Sequence, residues 1–240
     1  MLLYWATAAF VLIVLLARWK AADIYDIVII HMTERWYSEV LGRLPKGNKV
    51  LDVGIGTGTA LCMPANAAII KAKALKFVGV DYEARYITKA AAVAAKAGLS
   101  DVLQVRCASI YDDKLPKELG RDFDVAYFSG SISLMPDPPA ALQAAAAMLK
   151  PSGTIYITQT FQRRNVPGLS IFKPMIKYLT TIDFGQLVFE PEVVRIVEAA
   201  QMEVIENVII PNSVDNAMQV ARLLVVKPKV TRRSKSPSKK

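Results

Sequence analysis

The chain has 240 residues, 53% of them hydrophobic, and a formal net charge of +9 from 30 Lys and Arg against 21 Asp and Glu. That length suits one domain with short appendages, because a single core stops growing near about 250 residues. With 2 cysteines and 1 histidine, a disulfide framework and a Cys/His zinc cluster are excluded and metal chemistry is not indicated; Cys62 and Cys107 both read as parts of buried helix or strand.

Residues 1–17 (MLLYWATAAFVLIVLLA) carry no charge. As a helix rising about 1.5 Å per residue they span about 26 Å, just short of a hydrocarbon core of about 30 Å. Trp5 and Trp19 stand near the two ends, and Arg18 and Lys20 follow directly, the interfacial pattern that holds the rest of the chain on the cytosolic side. Residues 1–20 are therefore expected to be a single-pass membrane anchor, with the domain that follows facing the cytosol. A cleaved targeting sequence would carry its basic residues before the apolar run and small residues at its exit, whereas the exit here reads Ala17-Arg18-Trp19-Lys20. A helix buried against the domain or a partner is the third reading.

Residues 21–48 form a helical cap, with Ile27, Ile30, Trp36, Val40 and Leu44 at helical spacing. A strand is expected at Lys49–Val53, then a glycine loop, a helix near Ala60–Ala74 and a strand at Lys76–Asp81, which together make a βαβ unit. The alternation continues through a helix at Glu83–Ala97, strands at Val102–Arg106 and Phe123–Phe128, a helix at Pro138–Leu149 that Asp137-Pro138 starts, and a strand at Thr154–Thr158. Alternating strands and helices, with Val, Ile and Leu runs in the strands, predict a doubly wound, mostly parallel α/β sheet covered on both faces. A helix at Pro191–Ala200 precedes strands at Glu203–Ile210 and Ala217–Val226. Residues 212–216 are too short for a crossover, so these last two strands, completing a set of seven, should pair as an antiparallel hairpin. The domain is placed at residues 49–227.

Residues 228–240 are rich in Ser, Pro and Lys without an acid, and should be a disordered basic tail. Lys227, Lys229, Arg232, Arg233, Lys235, Lys239 and Lys240 account for most of the net charge, so the body is nearly neutral. The tail reads either as solubilising or as attracted to anionic lipid at about 1 kcal/mol per basic residue, an attraction that phosphorylation of Ser234, Ser236 or Ser238 would weaken.

The strongest chemical signal is Asp52-Val53-Gly54-Ile55-Gly56-Thr57-Gly58, a strand that ends in closely spaced glycines before a helix. Glycine permits positive φ and close approach of a ligand to the backbone. A dinucleotide fingerprint would need glycine where Thr59 stands, and a phosphate-binding P-loop would need Lys-Ser or Lys-Thr after the glycines. The next strand ends in an acid, Asp81.

These motifs resemble the class I, Rossmann-like, seven-stranded S-adenosylmethionine (SAM)-dependent methyltransferases over roughly residues 25–227. The resemblance implies that SAM is the cofactor and that Asp52, Gly54, Gly56, Gly58 and Asp81 hold it. Ser109 in Arg106-Cys107-Ala108-Ser109 stands where the family commonly has an aspartate facing adenine. Ser129, ending Asp124-Val125-Ala126-Tyr127-Phe128-Ser129, lines the transfer site, and Leu149-Lys150-Pro151-Ser152-Gly153 matches the turn before strand five.

Methyl transfer from a sulfonium is an in-line displacement that depends mainly on alignment. His31, in the cap with Tyr25 and Tyr37, is the candidate catalytic base, with a structural histidine as the alternative. The Asn/Asp-Pro-Pro-aromatic signature of nucleic-acid amino methylation is absent after strand four, so nucleic acid is not the expected partner. Residues 159–190 are long and apolar, as expected of a lid over an acyl or aromatic substrate or of a surface dipping into a bilayer, with packing on the sheet edge as the alternative. The favoured acceptor is a small hydrophobic or lipid-like molecule at a membrane. A protein methyltransferase and a non-catalytic scaffold that keeps the fold are the competing readings.

Overall fold

The computed structural model describes residues 30–164 and 188–229. The expected anchor at residues 1–20, most of the 159–190 segment and nearly all of the 228–240 tail lie outside the described residues. Among the described residues no helix is long and apolar enough to cross a membrane.

A helix over residues 30–43 (α1) leads into β1 (Lys49–Val53), α2 (Pro64–Ala72), β2 (Lys76–Asp81), α3 (Ala84–Lys96) and β3 (Leu103–Cys107). Then come α4 (Leu115–Leu119), β4 (Phe123–Ser129), a 3-10 turn (Ile132–Leu134), α5 (Pro138–Ala146), β5 (Leu149–Gln162), α6 (Glu190–Ala199), β6 (Met202–Ile209) and β7 (Gln219–Pro228). The strands form one seven-stranded sheet in the order β3-β2-β1-β4-β5-β7-β6. β1 pairs in parallel with both β2 and β4, whereas β7 runs antiparallel between β5 and β6. The α/β class, the seven strands and the closing hairpin are as the sequence predicts.

Alternation along each strand splits the core into two layers. On one face Leu51, Val53, Val80 and Ile155 pack with α5 and α6 residues such as Leu142 and Val197. On the other, Val50, Phe77, Val125 and Leu223 pack with Trp36, Val40 and Leu41 of α1 and Ile70 of α2. The cap helix is thus a full member of the second layer. Lys73 fixes its C-terminus by donating from Nζ to the carbonyls of Leu41, Gly42 and Leu44 at 2.8, 2.6 and 2.9 Å, which satisfies carbonyls that the helix itself leaves unpaired.

Three expectations need correction, and one element is added. The first concerns Cys107, which is exposed, not buried, because β3 is an edge strand. Cys62 is buried but lies in the turn before α2, which starts only at Pro64 in the N1/N2 position. Third, α5 stops at Ala146, short of Leu149, and β5 runs the whole of Leu149–Gln162, because β4 pairs with its start at Phe123↔Leu149 and β7 with its end as far as Gln162↔Gln219. The short helix α4, finally, was not expected. Asp137 does start α5, its carboxylate accepting from the Ala140 N–H at 3.0 Å.

Candidate functional site

The chain leaves β1 toward β2 and β3, then returns to β4 on the other side of β1. Such a reversal opens a crevice at the carboxyl ends of β1 and β4, the place where open α/β sheets bind ligands. The glycine turn leaves β1 at that point, and Ser129-Gly130-Ser131 leaves β4.

Each glycine has a separate physical reason. Gly54 has φ +75, and a Cβ there would stand 2.6 Å from the Cβ of Ser131, so the two strand exits can approach only if residue 54 has no side chain. Gly56 has φ +58 and nothing within 4 Å of a built Cβ; it faces open space. At Gly58, φ +64, a Cβ would stand 3.4 Å from the Cβ of Ala90 on α3. The N–H groups of Gly54 and Ile55 donate to the Val80 carbonyl at 2.8 and 3.2 Å, which hangs the turn on β2.

Asp81, at the end of β2, lies directly against this turn. Its Oδ2 accepts from the Gly56 N–H at 3.0 Å and its Oδ1 from the Glu83 N–H at 3.0 Å. A carboxylate offers about four acceptor sites, so both oxygens keep capacity for a ligand. The Asp81 carbonyl accepts from the Ala108 N–H at 3.0 Å, which puts the end of β3 at the same rim. Ser109 is exposed there, its Oγ accepting from the Tyr111 N–H at 3.3 Å in a local turn.

Behind the turn lies a buried polar cluster. Asp52 is fully buried, and Tyr37 of α1 donates its hydroxyl to Asp52 Oδ2 at 2.7 Å. The Tyr37 and Tyr127 rings meet edge to face at 5.1 Å and 87°, and the Tyr127 and Thr158 hydroxyls share a hydrogen bond of 2.8 Å. Asp52 Oδ1 and Ser129 Oγ are buried without a partner; Ser129 lies near both phenols, but its geometry falls outside a normal hydrogen bond. Burial drives the Asp52 carboxyl up to about 7, the Tyr37 hydrogen bond opposes that rise, and the charge of Asp81 adds to it. Burial, and then the neighbouring Asp52, holds the Tyr37 hydroxyl well above its usual value.

An unfolded aspartate titrates near about 3.9, so the folded chain holds this proton more tightly. Asp52 therefore contributes stability below about pH 4 and loses it as the pH rises toward 7. Urea unfolding of the donor-free protein at pH 5 and pH 8 is expected to show this loss, and Asp52→Asn is expected to reduce it. An equal pH dependence in the two proteins would contradict the assignment.

Three positioning contacts escaped the sequence reading. Asn66, fully buried, donates to the carbonyls of Ala60 and Glu34 at 2.8 and 3.1 Å and accepts from the Ser38 hydroxyl at 2.6 Å, so it fastens the end of the turn to α1. At Gly79 a Cβ would lie 2.4 Å from Ile55 Cδ1; the absent side chain makes room for Ile55 beneath the turn. A lone glycine within a strand is itself a signal of such close approach. Trp36 covers Gly130 at 3.2 Å from a built Cβ and donates to the Ser213 hydroxyl at 3.1 Å. His31 is exposed near the described start of α1, and Tyr37 of the same helix bonds to Asp52 behind the turn.

This sheet order, with a three-glycine turn leaning on an acid at its switch point, defines a doubly wound α/β class that binds its ligand at that crevice. The sequence pattern of the methyltransferase domain family matches residues 44–184, and the chain belongs to that family, whose enzymes take their methyl group from SAM. Among curated relatives, a phosphatidylethanolamine N-methyltransferase of Cereibacter sphaeroides is 22% identical over 161 residues, covering 67% of this chain and 73% of that one. A ubiquinone biosynthesis O-methyltransferase of Bordetella avium is 27% identical over 124 residues, covering 51% of this chain and 46% of that enzyme. A SAM-dependent methyltransferase from Geobacter sulfurreducens, solved with S-adenosyl-L-homocysteine, superposes with a TM-score of 0.55 at 17% identity, covering 82% of this chain and 90% of that one. The [4+2]-cyclase SpnF has the same fold, with a TM-score of 0.63 at 17% identity and 81% of each chain covered.

Proposed function

We propose that the protein transfers a methyl group from SAM to a small hydrophobic or lipid-like acceptor, at a membrane to which residues 1–20 hold it. The observation that carries the donor site is the Gly56 N–H seated on the Asp81 carboxylate, beside open space, at the β1/β4 crevice. In this reading Asp81 accepts the ribose hydroxyls, Gly54, Gly56 and Gly58 allow the donor to lie against the backbone, and Asp52 and Ser129 support the turn from below. Ser109 stands at the adenine edge. His31 is the base where the acceptor has a proton to lose. When bound, the donor supplies an electrophilic methyl on a sulfonium; the chain's task is to align the acceptor behind it and keep water out.

A cavity of about 1000 Å³ opens where β5 ends, walled by Phe161, Gln162, Phe189, Val194, Val220 and Arg195. Its size suits a small molecule, and its wall sets Phe161 and Phe189 beside the charged Arg163, Glu190, Glu192 and Arg222, which fits an acceptor with both an apolar and a polar part. The names of the two relatives, a phosphatidylethanolamine N-methyltransferase and a ubiquinone biosynthesis O-methyltransferase, support the same acceptor class. The test is to incubate membranes and cytosol separately with protein and methyl-labelled SAM, then partition the products. Label is expected in the organic extract of the membranes; label in the protein precipitate alone would overturn the acceptor reading.

A further inference from the structure

We infer that the crevice takes up its cationic methyl donor in exchange for a proton: Asp52 is a neutral carboxylic acid in the donor-free protein, and the arriving positive charge ionises it. The inference rests on the donor reading above and adds to it a linkage between cofactor binding and pH.

Among the described residues no counter-charge bonds Asp52. It is 0% exposed, Oδ2 accepts one hydrogen bond from a neutral phenol, and Oδ1 faces no donor. The titratable groups that bear on it are Tyr37 from α1, Asp81 from β2, Tyr127 from β4 and Cys62 from the segment after the turn. Each is an acid, and none is a cation. A carboxylate buried in this way is too costly to keep ionised, so the group holds its proton into the neutral range; its position near 7 agrees. Only Val53 separates Asp52 from the start of the glycine turn, and the second acid, Asp81, touches that turn. Among the described residues Asp52 and Asp81 flank this hollow as two acids, and such a hollow gains most from a ligand that brings positive charge.

SAM brings two positive groups, a sulfonium and an ammonium, of which S-adenosylhomocysteine keeps only the ammonium. Either one near the turn favours the ionised form of Asp52. The Asp52 O–H bond then breaks, its electron pair stays on the carboxylate, and the proton passes to solvent. Because binding releases a proton, SAM affinity should rise by up to about tenfold per pH unit below neutrality and level off once Asp52 is ionised in the free protein.

The experiment is titration calorimetry of the full chain with SAM at pH 6.5, in two buffers of different ionisation enthalpy, repeated with S-adenosylhomocysteine. A substantial fraction of a proton released per SAM bound supports the inference. Release with both ligands assigns it to the ammonium, and release with SAM alone to the sulfonium. Binding of SAM with equal heats in both buffers would overturn the inference and leave the donor reading standing; no binding in either buffer would overturn both. Infrared difference spectra give a second readout, in which the protonated carboxyl band of the wild type should disappear on SAM addition and be absent from Asp52→Asn. Tyr37→Phe removes the one donor that favours the carboxylate, so it should move the pH profile of SAM affinity upward while proton release persists, a displacement that a packing defect alone would not produce.

Discussion

Asp81→Ala is expected to weaken SAM binding at least about a hundredfold. Two hydrogen bonds from a ribose diol to a carboxylate are each worth about 1.5–3 kcal/mol, and every 1.4 kcal/mol is about tenfold in affinity. The substitution also removes the acceptor of the Gly56 and Glu83 N–H groups at 3.0 Å each, so the turn loses its support from β2 at the same time. Asp81→Asn retains one acceptor oxygen and should fall between the two. Calorimetry at fixed pH measures the difference, and equal heats from wild type and Asp81→Ala would end the cofactor assignment.

The second large effect separates two glycines that look alike in sequence. At Gly54 a side chain would collide with Ser131 at 2.6 Å, in a backbone already at φ +75. Gly54→Val is therefore expected to cost about 2–4 kcal/mol of stability, from left-handed strain and the forced separation of β1 and β4. Gly56 has the same hand of backbone but open space where its Cβ would go. Gly56→Ala should cost only about 1 kcal/mol, while its methyl group enters the volume that the donor needs. Thermal unfolding and SAM binding measured on both variants should thus diverge, with Gly54→Val failing in both and Gly56→Ala failing mainly in binding. A Gly56→Ala protein that binds SAM normally would show that the ligand does not lie against this turn.

The outline of this molecule was legible because its strong signals are local. Apolar runs at Lys49–Val53 and Lys76–Asp81, and the short connection before Gln219–Pro228, identify strands, a parallel sheet and a closing hairpin from neighbouring residues alone. The same holds for the glycines after Asp52 and for Asp137 at the start of α5. The misses share a different cause. β5 extends to Gln162 because β7 pairs along it, and Cys107 is exposed because β3 has a neighbour on only one side. Neither fact is written within ten residues of the place where it matters.

The sequence by itself determined which family this chain joins, since strand, glycine turn and acid follow one another at spacings that backbone geometry imposes on any such site. Only the tertiary structure decided what surrounds Asp52. Its contact with Tyr37, the paired rings of Tyr37 and Tyr127, and the Asn66 bonds to Ala60 and Glu34 join residues from separate helices and strands. Such contacts form only when the two faces of the sheet are covered, and burial, the force that holds a proton on Asp52, is a property of that packing and not of any one segment.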